Sequence, residues 1–230
     1  MTGRHLLLVI ALFGVAHAES PAPATADGAT AGGVITGVVS LSLPQRANQP
    51  PRYYRGSYRA SHVSDPAPLP TASVVIYVAD VPAPVSGWPV PVEAALMRQY
   101  HDHFVPHVLP VLQGRVVSFP NEDNYYHNVF SVVAGDRFDL GRYGQGDTRL
   151  QSFDDPAVVV VRCEIHSGMK AFILVRDNPW FTVPDATGRY TLQGVPAGTW
   201  TVVAWHPSRA NLRRTVTVDP DRPAVLDISF

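Results

Sequence analysis

The chain has 230 residues, 18 basic against 19 acidic, for a formal net charge of −1. Near-neutrality, with no basic stripe and no amphipathic basic helix, argues against nucleic acid or a membrane surface as partner. A single cysteine excludes an internal disulfide, so in an oxidising compartment that thiol is buried, paired with another molecule or bound to metal.

Met1-Thr-Gly-Arg4-His5, the apolar run Leu6 to Val15 and the small-residue pattern Ala16-His17-Ala18 read as a secretory signal peptide over residues 1–18, cleaved after Ala18. The run is short for a membrane span and no later run is long enough, so the mature chain is expected in a bacterial periplasm. Residues 19–32, rich in Pro, Ala, Thr and Gly, form a flexible linker that cannot bury a core.

Beyond the linker, short Val-rich segments bounded by Gly, Pro and Asp predict an all-β protein. Strands are expected over 34–43, 72–79, 108–112, 115–119, 128–133, 157–162, 171–175, 189–193, 200–206, 214–218 and 224–230. Eleven strands exceed one small sandwich. The loop from Arg52 to Arg59, which alternates arginine with tyrosine, reads as solvated surface.

The chemistry concentrates in Cys163-Glu-Ile-His166-Ser-Gly-Met169. A thiolate, an imidazole and a thioether on one short loop form a soft ligand set, and with one more histidine they suit copper that cycles between two oxidation states. His127, 36 residues before Cys163, is the candidate, since that separation lets two different strands bring the pair together. Each residue also has an ordinary reading: Cys163 as a small buried hydrophobe, His127 as a hydrogen-bonded strand residue, His166 as a solvated loop residue and Met169 as core filling. His101, His103 and His107 read as surface or hydrogen-bonded residues in preference to a second metal site, and Trp205-His206 as packing at a strand end.

These paired elements resemble the type 1 (blue) copper site of the cupredoxin family, closest in loop spacing to the amicyanin branch and otherwise plastocyanin-like. The resemblance runs over about Met97 to Val175 and includes Phe104-Val-Pro-His, Gly114-Arg-Val-Val-Ser-Phe119-Pro-Asn121 and Phe138-Asp-Leu-Gly-Arg-Tyr143. With its flanks the chain is similar to a group of bacterial methylamine-utilisation-type proteins. The resemblance implies a Greek-key sandwich holding one mononuclear copper on His127, Cys163, His166 and Met169. His166 would be the electron port, ringed by Phe104, Pro106 and Met169. Two departures concern the site's surroundings: Glu164 stands where the family carries a small hydroxyl residue bonded by the side chain beside the first histidine, and Ile165 replaces a proline.

The C-terminal Asp185-Ala-Thr-Gly188-Arg-Tyr190-Thr-Leu192-Gln-Gly194-Val-Pro196-Ala-Gly198 resembles the β-sandwich of carboxypeptidase regulatory-like or transthyretin-like domains. Its first strands in that family are like Ile35-Thr-Gly37-Val-Val-Ser and Ala72-Ser-Val-Val-Ile-Tyr77-Val, which here lie before the copper-like region. The expected architecture is therefore a second small sandwich over 33–90 and 178–230, split by a cupredoxin domain inserted at 91–177. The implied function is periplasmic one-electron transfer between a redox protein donor and acceptor, with a copper carrier or sink without redox turnover as the alternative. An enzyme is not expected: the split sandwich has no nucleophile triad, no Gly-rich phosphate loop and no zinc-peptidase motif, a copper oxidase would need additional histidine clusters, and a binuclear copper centre a second cysteine.

Overall fold

A computed structural model describes residues 32–42, 70–82, 87–132 and 137–230. The expected signal peptide, the linker up to residue 31 and the Arg52 to Arg59 loop lie outside the described residues. The chain is all-β. β1 (Gly33–Ser40) and a 3-10 turn (Pro70–Ser73) lead to β2 (Val75–Ala79), followed by the short β3 (Ala95–Leu96), β4 (Arg98–Tyr100) and β5 (His103–Val105). Next come β6 (Val108–Leu112), β7 (Val116–Pro120), β8 (His127–Ser131), β9 (Phe138–Tyr143), β10 (Thr148–Ser152), β11 (Val158–Arg162) and β12 (Lys170–Arg176). The chain continues through β13 (Phe181–Thr182), β14 (Arg189–Val195), β15 (Gly198–Trp205), β16 (Leu212–Val218), β17 (Ala224–Val225) and β18 (Ile228–Ser229).

Every strand expected from apolar pattern is present, the last as the pair β17 and β18. Pattern did not reveal β3, β4, β5, β9, β10 and β13, which are short or carry too many polar residues for a period of two to register. A tight turn at Asp185 precedes β14 as expected: its carboxylate accepts from the Thr187 and Arg189 N–H groups, and Gly188 sits at φ 82°.

Within the described residues, β1 and β2 take all their ladder partners from strands after residue 180. β1 runs antiparallel to β14 with Val38 opposite Arg189, and parallel to β17 and β18. β2 lies between β13 and β15 with Val75 opposite Trp205, and β16 completes that sheet. The intervening chain forms a five-stranded sheet, β6-β12-β11-β8-β9, and a three-stranded sheet, β10-β7-β3.

These four sheets, with β4 and β5 forming a separate two-stranded one, stack around three apolar layers. Ile35, Ile76, Val78, Leu192 and Val202 fill the space between the β14-β1 and β2-β15 sheets. Phe119, Val129, Val161, Ile173 and Val175 do the same between the β7 and β12 sheets. The middle layer joins the two pairs: Val75, Tyr77, Val203 and Trp205 meet Val108, Phe172 and Leu174. Strand periodicity explains the sharing, since alternate side chains of β2 and β12 point to opposite faces and both faces are covered. That is why Val75–Ala79 is buried at all five positions and the sequence there is apolar without alternation.

Candidate metal centre

β8 and β11 are neighbours in the five-stranded sheet, with Arg162 opposite Phe130. That pairing brings His127, the first residue of β8, to the end where Cys163 leaves β11. The loop from Cys163 to Met169 closes on itself: the Cys163 N–H donates to the Met169 carbonyl at 3.2 Å and the Met169 N–H to the His166 carbonyl at 2.9 Å. Asn128 ties strand to loop, its Oδ1 accepting the Glu164 N–H at 2.8 Å. At the departure noted at Glu164, the group that Asn128 binds is thus the backbone N–H. The Glu164 side chain turns to Arg142 instead, which donates from Nε at 2.8 Å.

Cys163 Sγ lies 3.8 Å from His127 Nδ1 and 3.8 Å from His166 Nδ1, and the two nitrogens are 3.0 Å apart. A point in the plane of these atoms about 2.0 Å from both nitrogens falls about 2.2 Å from the sulfur, close to first-row metal bond lengths of about 2.0–2.1 Å to imidazole and 2.3 Å to thiolate. His127 Nε2 is 2.8 Å from Asp123 Oδ2. A carboxylate can only accept there, so Nε2 carries a proton, and Nδ1 faces the sulfur with a lone pair free for a metal once its own proton is lost. His127 is fully buried, Cys163 is 4% exposed and Met169 2% exposed in the same core. The four side chains thus fit a type 1 copper site.

The electrostatics favour a thiolate. Burial pushes the Cys163 thiol up, but His127 and the N–H groups of Asn128, His166 and Ile165 outweigh it and bring the group down to about 6. Burial pushes His127 down, and Cys163 with Asp123 more than offsets it. Asp123 is held below its ordinary value against burial by His127 and by the N–H groups of His101 and Asp102. Those two amides sit 2.7 and 3.1 Å from its oxygens.

His127, Cys163 and His166 come together as read from the sequence, with Met169 buried beside them. Of the three residues expected around His166, two are buried and one is exposed. Phe104 and Met169 are core residues, each 2% exposed, and Pro106 is exposed. The ring against both imidazoles is Tyr125, with centroids 5.1 Å from His127 and 5.5 Å from His166. Among the described residues, no metal-competent grouping includes His101, His103 or His107. The second such grouping is Asp102, Asp123 and His127. Sequence reasoning missed these carboxylates, although the Asp123 to His127 spacing of four was a signal for one of them.

No family model matches the chain, and no curated protein matches it by sequence. Similar solved structures include a copper-containing nitrite reductase from Thermus scotoductus SA-01, at 25% identity and TM-score 0.37, covering 43% of this chain and 26% of that one. An amicyanin mutant in its oxidized state aligns at 19% identity and TM-score 0.36, covering 38% of this chain and 86% of that one. A purple cupredoxin from Nitrosopumilus maritimus aligns at 20% identity and TM-score 0.33, covering 36% of this chain and all of that one. At these scores the chemistry assigned to the site rests on its own geometry.

One expectation is corrected. The sequence reading excluded an enzyme, yet one of these neighbours is a reductase. Missing motifs and histidine clusters do not exclude catalysis: function lies in what surrounds the site, not in the fold. The present chain spans about a quarter of that reductase's length.

Proposed function

We propose that this chain is a periplasmic type 1 copper protein that passes single electrons between a donor and an acceptor redox protein. The observation that carries the reading is the triangle of one sulfur and two Nδ1 atoms, preformed and partly buried, with a metal-sized centre. Copper bound there supplies a one-electron couple. The protein supplies the rest. Cys163 would hold the ion through its thiolate, His127 and His166 through Nδ1 and Met169 through its thioether. Asp123 and Asn128 hold the ligand strand and the loop in register, so the donors keep one arrangement in both oxidation states. His166, with 29% of its side chain exposed, is the route by which an electron reaches solvent-facing partners.

The same reading includes a domain division, with the cupredoxin at 91–177 inserted into a sandwich made of 33–90 and 178–230; the ladders of β1 and β2 with β14 and β15 support it. It also includes export through residues 1–18. No helix among the described residues is long and apolar enough to cross a membrane.

The test is to load the mature protein with Cu(II) and record visible absorption beside Cys163→Ala. An intense thiolate-to-copper band that disappears in the variant is expected. A pale complex in the unmodified protein overturns the reading. An intense band combined with copper loss to a chelator within minutes favours a carrier over an electron shuttle.

A further inference from the structure

The remote nitrogen of His127 is held by a carboxylate, and the remote nitrogen of His166 faces another. Asp102 Oδ1 is shielded from solvent and has no hydrogen-bond partner among the described residues. It lies 3.7 Å from His166 Nε2, just beyond hydrogen-bond reach. A carboxylate oxygen shielded from solvent without a partner is costly, and that ring nitrogen is a donor-capable atom close to it.

We propose that Asp102 is a positioning residue for His166, accepting a hydrogen bond from Nε2–H when Nδ1 binds copper. The inference rests on the copper reading above. Coordination through Nδ1 requires the neutral ring to carry its proton on Nε2, the nitrogen 3.7 Å from the orphaned oxygen.

The placement of Asp102 is specific. It belongs to the turn between β4 and β5, where His101 and Asp102 have φ of 52° and 60°, a left-handed conformation that non-glycine residues seldom adopt. That conformation turns both of their amides onto Asp123, the residue holding His127. Burial and the Asp102 carboxylate push the Tyr125 hydroxyl up, while its ring packs against both imidazoles. One turn therefore braces both histidines, one through its amides and Asp123, the other through its own carboxylate. The negative charge so placed favours the more positive oxidation state of the bound ion, which lowers the reduction potential.

The experiment compares the copper-loaded full chain with Asp102→Ala and Asp102→Asn, reading the visible band, the rate of copper release to a chelator and the reduction potential. The alanine variant is expected to release copper 10- to 100-fold faster. The asparagine variant, whose amide oxygen still accepts from Nε2–H, is expected to keep a release rate near that of the unmodified protein. Both should have raised potentials, because both lose the charge. Equal acceleration in the two variants, or unmodified release rates and potentials in both, overturns the proposal. Absence of the band in the unmodified protein overturns the copper reading itself, which separates the two failures.

Discussion

Cys163 carries two burdens, since it is buried in an apolar core and yet has to be ionised to bind metal. The structure resolves the conflict with one imidazole and three backbone N–H groups aimed at the sulfur, which bring its pKa to about 6 despite burial. In the metal-free protein, a titration of ultraviolet thiolate absorbance is expected to show a midpoint near 6, moving up toward the ordinary thiol value in His127→Ala. The sign for stability follows. A group depressed on folding contributes its stability fully above the unfolded thiol value and loses it as pH falls through about 6. Protons then compete with copper for the same sulfur, so copper affinity should weaken below that pH, as an equilibrium titration at several pH values would show.

At the scale of elements, the site depends on a strand and a loop keeping register. Asn128 is the cross-piece: it is 1% exposed and receives the Glu164 N–H one residue beyond the cysteine. Asn128→Ala leaves that donor without its acceptor, and a loss of about 1–3 kcal/mol is expected in urea unfolding of the metal-free protein. Faster copper release should accompany it, because the loop loses its tie to β8. A loss of stability without any change in release would mean that the loop holds its shape through the Cys163 and Met169 backbone bonds alone. Asn121 plays a similar part further upstream, donating from Nδ2 to the carbonyls of Tyr125 and Tyr143 and so fixing the turn that delivers His127.

For the molecule as a whole, the decisive feature is the shared middle layer. Phe172 is 8% exposed and meets Trp205 edge-on at 5.6 Å, and Arg176 lies 3.9 Å from the centroid of Tyr77. These contacts join the sheet that carries the cysteine loop to the sheet that β2 forms with β15. The expected consequence is one cooperative thermal transition of the metal-free protein. Phe172→Ala should cost about 3–5 kcal/mol while leaving the copper band in place, since the ring points away from the metal side of β12. Two separated transitions in calorimetry of the unmodified protein would show that the middle layer is too weak to couple the sheets.

The sequence by itself determined what lies close along the chain. The spacing of Cys163, His166 and Met169 is set within seven residues of one loop, and a period of two marks a strand whose faces differ. His127 was legible because strand pairing is a regular way to span its separation from the cysteine. Tertiary structure alone decided the rest. β2 and β12 have both faces covered, so their apolar runs could not tell which sheet each would meet. Asp102 and Asp123 act on the histidines through a turn between two three-residue strands, too short for periodicity to announce. Tyr125 reached the imidazoles only because that turn and the one at Asn121 converge. The physical reason is common to all three: hydrophobic alternation and ligand spacing are local properties, whereas burial on a second face and the partner of a remote ring nitrogen depend on segments that folding alone brings together.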